Sequence, residues 1–202
     1  MGKRAFRAWL MLVAPAALCA VPGLSKPLPP WWTGLRQLPR IECRFRQESE
    51  SAVFGKLVRQ GHLQVARGGR LRITYDSGLL LVADGTRLTQ YDPDTRTAQR
   101  SSLGASLEDA PLLALLVDPA RLDLSYEAQV LGPGRVRLRP RKPGLPALEV
   151  EGTGRFPKSL HWTDGTGAAQ ALVLLDPKVP VALDPSLFRF TLPEGARLVG
   201  ER

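Results

Sequence analysis

The segment from Gly61 to Asp94 most constrains the fold of this chain, because apolar and polar residues alternate along several of its short runs. Alternation with a period of two is typical of β-strands that bury one face. Turn-forming residues separate the runs at positions 76–78, 84–85 and 93–94. The segment therefore predicts consecutive antiparallel strands with a continuous apolar face. Either the protein's own core or a ligand has to cover that face.

The rest of the chain follows a similar plan with short helical interruptions. A strand is predicted at 41–49, and further strands are predicted at 122–131, 135–139, 145–151, 159–162 and 169–175, with a last one at 188–192. Proline residues limit an N-terminal helix to about two turns between Trp31 and Leu38. A second short helix is predicted from Leu107 to Leu116, with Glu108 and Asp109 in its first turn. This helix is apolar on nearly every side, so it must be buried or face a ligand.

Roughly ten strands with two or three short helices indicate an α+β fold. We expect one large, curved antiparallel sheet, an incomplete β-barrel, with the helices gathered on one face as a lid over an apolar cavity. No internal repeat and no boundary between domains is evident, so residues 26–202 are expected to form a single domain.

Residues 1–25 are predicted to be a secretory signal peptide rather than part of that domain. Lys3, Arg4 and Arg7 precede an apolar run from 8 to 20, which is too short to span a bilayer comfortably. An uncleaved N-terminal anchor is the alternative interpretation. Cys19 also resembles the cysteine of a lipoprotein signal, but Leu18 stands where a small residue normally precedes it.

The residues that carry most enzyme chemistry are not grouped in recognisable motifs. His62 and His161 have no Cys, Asp or Glu at a metal-binding spacing, so no metal or other cofactor is expected. The sequence has no nucleophile elbow, no phosphate-binding loop and no evident acid–base pair, and we therefore predict that the protein is not an enzyme. Cys43, which lies beside Phe45 in a predicted strand, is expected to be buried and unreactive.

The chain is basic, with a formal net charge of +9, but its arginines are spread along the strands. They are not clustered with interleaved aromatic residues, so we expect no nucleic-acid binding. A positive exterior suits an anionic membrane surface or an acidic partner. The alternative is that these arginines merely solvate the outer face of the sheet.

An ordered set of short motifs resembles the LolA family of periplasmic carriers of outer-membrane lipoproteins. The set extends over most of the chain after the predicted signal peptide and ends in a segment similar to the family's closing strand. Its members are Phe45-Arg46-Gln47, Gly61-x-Leu63, Arg67, Leu71-Arg72-Ile73-x-Tyr75, Leu81-Val82-Ala83-Asp84-Gly85, Tyr91-Asp92, Pro111-Leu112-Leu113 and 188–195.

This resemblance implies a carrier that shields the acyl chains of lipoproteins and ferries them through the periplasm from the inner to the outer membrane. It implies an inner-membrane transporter that releases the cargo, an outer-membrane acceptor and a monomeric carrier. Arg67 stands where the family has an arginine that latches the helical cover through backbone carbonyls. The residues expected to line the acyl-chain site are Leu63, Val65, Leu71, Ile73, Tyr75, Leu80, Val82, Leu112, Leu113, Leu115 and Leu116.

Two alternatives stay open on the sequence alone. The leucine-rich helix can be ordinary core, with Arg67 a strand-end residue in water. The protein can also be a periplasmic lipid-binding module that handles a free lipid or an envelope intermediate without transferring lipoproteins.

Overall fold

The computed structural model describes residues 27–200, so the predicted signal peptide lies outside the described residues. The helices are α1 (Pro30–Gln37), α2 (Leu103–Asp109), α3 (Pro111–Val117) and α4 (Leu122–Ser125), with 3₁₀ turns at Pro119–Arg121 and Pro185–Phe188. The strands are β1 (Arg40–Ser51), β2 (Gly55–Ala66), β3 (Arg70–Tyr75), β4 (Leu80–Asp84), β5 (Arg87–Asp92), β6 (Thr97–Ser102), β7 (Tyr126–Gly132), β8 (Arg135–Pro140), β9 (Leu148–Thr153), β10 (Phe156–Thr163), β11 (Ala169–Lys178) and β12 (Arg197–Val199).

All twelve strands form one sheet in the order β12-β6-β5-β4-β3-β2-β1-β11-β10-β9-β8-β7. Neighbouring strands are antiparallel except for the short β12, which runs parallel to β6. The sheet does not close on itself, because β12 and β7 are its two edges. The predicted large, open antiparallel sheet is confirmed, with twelve strands in place of about ten.

One face of this sheet, which we call the inner face, carries the main hydrophobic core. The register places Leu63 opposite Ile73 and Val65 opposite Leu71, and all four are buried there. The same cluster continues across the other half of the sheet through Leu172, Leu160, Val150 and Val136. Residues of the four helices belong to this cluster too, so the helices lie against the inner face.

The opposite, outer face is partly covered by the C-terminal segment. Arg72 Nη1 donates a hydrogen bond to the carbonyl oxygen of Leu187 at 3.1 Å. The Arg70 guanidinium lies 5.8 Å from the ring centroid of the buried Phe188. Phe190 packs against Tyr91 with ring centroids 5.7 Å apart. Residues 187–190 therefore pack onto the face of the sheet.

That placement corrects the predicted last strand, because no strand occurs at 188–192. Phe188 and Phe190 hold this segment across the outer face, where its backbone does not meet a strand edge. The final strand is instead β12, which pairs with β6 from Arg197 to Val199.

Two other sequence-based boundaries are also wrong. The predicted helix from Leu107 to Leu116 is two helices, because Ala110, with φ −121° and ψ 83°, is not helical and precedes Pro111. Proline disfavours the α conformation in the residue before it. Glu108 therefore lies in the last turn of α2. The strand predicted from Leu122 begins only at Tyr126, since residues 122–125 form α4.

The N-terminal helix α1 is as short as predicted and is anchored by two tryptophans. Trp31 and Trp32 are buried and pack edge to face, with ring centroids 5.6 Å apart. Trp31 Nε1 donates a hydrogen bond of 2.7 Å to the carbonyl oxygen of Gly134. A Cβ atom on Gly152 would lie 2.6 Å from Trp31 Cγ and 2.6 Å from the Phe156 carbonyl oxygen. The absence of a side chain at Gly152 therefore allows α1 to pack closely against the sheet.

Replacing Gly152 by alanine is expected to lower the free energy of unfolding by about 1–3 kcal/mol, because either Trp31 or the β9–β10 backbone must shift. Urea denaturation measures this change. Gly132→Ala is the matched control, since Gly132 also lies in a strand and a Cβ atom there would meet nothing within 4 Å. Equal losses in the two variants would show that α1 does not depend on this close contact.

Candidate functional site

The structure brings most of the predicted acyl-chain residues together on the inner face. Leu63, Val65, Leu71 and Ile73 are buried in neighbouring strands β2 and β3. The alternation seen in the sequence places them there, because every second side chain in a strand points to the same face.

Tyr75 follows the same alternation and lies where the inner core becomes polar. Its ring packs edge to face on Phe45, with centroids 5.2 Å apart, and its hydroxyl donates a hydrogen bond of 3.1 Å to Gln47 Oε1. Burial raises the pKa of the Tyr75 hydroxyl. Tyr75 therefore remains a neutral hydrogen-bond donor at the border of the apolar region.

Leu80 and Val82 lie on the outer face, apart from the other predicted residues. Val82 is opposite Arg72, and Leu80 is opposite Thr74, in register with the outer side of β3. The run 79–83 is apolar throughout, so its sequence does not reveal which residues face inward. The inward positions are Leu81 and Ala83, which the sequence analysis missed. Counting across the strand pair from Ile73 is the signal that identifies them.

The four helices α1 to α4 on the inner face form what we call the helical cover, and α3 supplies much of it. Leu115 and Leu116 are buried in the core cluster, and Leu113 is partly buried against it. The side chain of Leu112 lies outside the described part of the structure. Ala114 and Val117 are buried as well, and so are Leu103 and Leu107 of α2, which were not among the predicted site residues. The sequence predicts that this helix is buried or faces a ligand, and the structure places Leu115 and Leu116 in the core.

Between this cover and one end of the sheet lies a cleft of about 550 Å³. This end, which we call the Arg67 end, carries the β2–β3 turn at residues 67–69. The cleft's volume is within the range of small-ligand pockets, about 300–1,000 Å³. Its larger apolar lining residues come from α1 and the residue that follows it, from α2 and α3, and from the sheet: Leu35, Leu38, Ile41, Val65, Leu103, Leu107, Leu116 and Val117. Its charged lining residues are Arg36, Arg40, Arg67, Arg121 and Asp118.

Arg67 connects this turn to α1. Its Nη2 donates a hydrogen bond of 2.9 Å to the carbonyl oxygen of Arg36, and its backbone N–H donates one of 3.1 Å to that of Pro39. The Arg36 carbonyl lies in the last turn of α1, where free carbonyls and the helix dipole favour a cation. The next two residues, Gly68 and Gly69, have φ of 80° and 76°, which glycine adopts without strain.

Arg36 joins α1 to α4, so the two ends of the helical cover are connected. Its two terminal nitrogens donate to the two carboxylate oxygens of Asp123 at 2.8 and 2.6 Å, and its guanidinium lies 5.0 Å from the Trp32 ring centroid. The hydrogen bonds from Arg36 hold the pKa of Asp123 below its ordinary value of 3.8. The pair is therefore intact at neutral pH and is lost only as the pH falls through that lowered pKa.

The helices themselves are weakly capped. Each of α1 to α4 is described without a side-chain hydrogen bond at its N-cap, and the longest has eight residues. Isolated helices of this length are not stable in water. Packing against the inner face, with the few polar links at the edges, therefore holds the cover in place.

Cys43 lies on the inner face opposite Leu63 and is buried, as predicted. Burial raises the pKa of its thiol to about 12. At neutral pH the group is a thiol in the core, so its reactivity reports how often the core opens.

Among residues 27–200, no helix is long and apolar enough to cross a membrane. Within the same range, no group of three or more His, Cys, Asp and Glu side chains is arranged to hold a metal ion.

With this geometry in view, sequence comparison identifies the class of protein. The family model for outer membrane lipoprotein carrier protein LolA matches residues 36–191. The chain belongs to the LolA family. It is 30% identical over 167 residues to an outer-membrane lipoprotein carrier protein of Alkalilimnicola ehrlichii. The aligned region covers 79% of this chain and 77% of that protein. It is 25% identical over 175 residues to one of Pseudomonas entomophila, with 83% and 84% covered.

A solved structure shares the fold at lower identity. An uncharacterized conserved protein from Thermus thermophilus aligns with a TM-score of 0.50 and 16% identity, covering 84% of this chain and 94% of that one. This likeness concerns the fold alone.

Arg67→Leu is expected to speed iodoacetamide labelling of native Cys43 by about three- to tenfold, because one charge-assisted hydrogen bond to α1 is lost. Mass spectrometry of timed samples gives the rate, and parallel urea melts allow any change in global stability to be subtracted. Arg139→Leu, an exposed arginine on β8, is the matched control. Identical labelling rates for Arg67→Leu and the control would mean that Arg67 does not restrain the cover.

Proposed function

We propose that this protein carries lipoproteins through the periplasm and shelters their acyl chains between the inner face and the helical cover. The observation that carries the proposal is the construction of that cover. Short, uncapped helices rest on a continuous apolar sheet face, and a cleft with both apolar and charged lining residues is already present at their margin. The carrier names of its relatives support the same function.

The energetics require such a shelter. Each methylene transferred from water to an apolar site contributes about 0.8 kcal/mol. Exposing the several acyl chains of a lipoprotein to water would therefore cost on the order of tens of kcal/mol. Chains that enter at the cleft would displace α3 from the apolar inner face and replace its leucine contacts with their own. The exchange of one apolar contact for another keeps the net affinity moderate, which permits release.

Arg67 acts in this proposal as a latch for the empty, closed state. Its bond to the Arg36 carbonyl stabilises closure, and cargo has to compete with closure. Loss of the latch therefore raises the apparent affinity for cargo and slows release.

The proposed partners follow from the route. An inner-membrane transporter would load the carrier, and an outer-membrane acceptor would receive the cargo. The protein would work as a monomer without catalysis or a cofactor, after export by its N-terminal signal peptide.

A second candidate function is the handling of a free anionic lipid. The arginines that line the cleft favour it, since Arg40, Arg67 and Arg121 outnumber the acid Asp118 in the lining even though Arg36 is already paired with Asp123. A phosphate or carboxylate headgroup would suit those guanidinium groups while an acyl chain occupied the apolar wall.

Native purification from the cell envelope, followed by mass spectrometry of the bound material, tests the proposal. We expect acylated proteins to co-purify, and we expect Arg67→Leu to retain several times more of them than the parent protein because its closed state is weakened. The control Arg139→Leu should behave like the parent.

Recovery of free lipid without acylated protein would favour the second candidate function. Recovery of neither, from parent and variant alike, would contradict both functions and make the leucine helix ordinary core.

A further inference from the structure

The β1–β2 hairpin extends past the neighbouring strand β3 at the end of the sheet opposite the Arg67 end. Its two strands pair continuously from Arg40 and Ala66 to Ser51 and Gly55. Strand β3 pairs with β2 only over its last six residues, from Gly61 onward. Residues 51–60 therefore form an arm whose tip stands clear of β3.

The tip of this arm is apolar and exposed. Phe54 and Val53 in the turn are 90% and 81% exposed, and Leu57 and Val58 on the returning strand are 48% and 40% exposed. A single exposed apolar residue is ordinary, but four within six residues form an apolar patch around the tip, with Leu57 and Val58 on opposite faces of β2. The turn is fixed by a hydrogen bond of 2.9 Å from the Phe54 N–H to Ser51 Oγ, so the patch is part of a defined hairpin.

The charges around the tip are basic. Lys56 and Arg59 are the charged residues between Ser51 and Gln60. The nearest acids, Glu48 and Glu50, lie on β1 before the arm, and Glu48 already accepts from Lys56 at 2.6 Å and from Arg46 at 2.7 Å. An aromatic tip flanked by cations matches the boundary between anionic headgroups and acyl chains.

We propose that the hairpin tip, residues 52–59, docks the protein on an anionic membrane by inserting Phe54 and Val53 into the interfacial layer. The convex shape of the turn favours a lipid surface as the partner, because a convex turn can bury its side chains by inserting them into a deformable bilayer surface. The net positive charge of the chain attracts it to the same surface. This inference does not depend on the cargo and goes beyond the proposed carrier function.

Co-sedimentation with large unilamellar vesicles tests the inference on the protein purified from the envelope. The probes are vesicles of phosphatidylcholine alone and of phosphatidylcholine with one quarter phosphatidylglycerol. We expect binding to the anionic vesicles that weakens as salt rises from low to high concentration. The double variant Val53→Ser/Phe54→Ser should bind at least about tenfold less.

The control variants show whether binding depends on the position of the exposed apolar side chains or only on their apolar character. Val181→Ser removes an apolar side chain that is 95% exposed in the loop after β11, and it should bind like the parent. Lys56→Gln/Arg59→Gln should lose the preference for anionic vesicles. Thermal melts check that each variant is folded, which is expected because all these positions are exposed.

Any of three results would overturn the inference. The first is failure of the parent protein to sediment with either vesicle. The second is a loss of binding in Val181→Ser as large as that of the tip variant, and the third is equal binding to the two vesicle types at low salt. None of these results bears on whether acylated proteins co-purify with the protein.

Discussion

Burial of one continuous apolar sheet face is the constraint on which the rest of this structure depends. An open sheet of twelve strands cannot cover that face by closing on itself, so helices have to do it. The helices are too short to be stable alone and exist because the face beneath them is apolar. Sheet and cover therefore stabilise each other, and whatever replaces the cover has to be equally apolar.

The polar contacts at the margin of the cover are few and partly exposed. Arg67 binds one carbonyl of α1, and Arg36 joins α1 to Asp123 of α4. Exposed ion pairs and hydrogen bonds contribute little to stability, typically about 0–1 kcal/mol for a pair. Such links set the position of the helices without fixing them rigidly. Such a cover suits the proposed carrier function, in which cargo has to be both held and released.

Much of the sheet could be predicted from the sequence, because alternation identifies a strand with one buried face. Leu63, Val65, Leu71 and Ile73 were placed correctly for that reason. The alternation fails in the run 79–83, where both faces of β4 are covered and every residue is apolar. The register between β4 and β3 determines which side chains face inward. Register depends on two strands, so it cannot be read from the sequence of one strand alone.

The helical segments were harder to predict for similar reasons. A single leucine-rich pattern extends over α2 and α3, and only the backbone restriction imposed by Pro111 divides it. The C-terminal segment has the composition of a strand, yet Phe188 and Phe190 pack onto the outer face. Tertiary packing decides the position of the C-terminal segment, and local sequence does not contain it; the division at Pro111 is a local effect that the continuous leucine pattern conceals.

Photo-crosslinking with a triacylated peptide whose acyl chains carry diazirine groups tests the central claim most directly. If the inner face shelters the chains, the crosslinks should fall on residues such as Leu63, Ile73 and Leu115, and an excess of unlabelled lipopeptide should suppress them. Crosslinks confined to the outer face near Leu80 and Val82, or no crosslinks above those of a control peptide whose only diazirine is on its peptide portion, would contradict it.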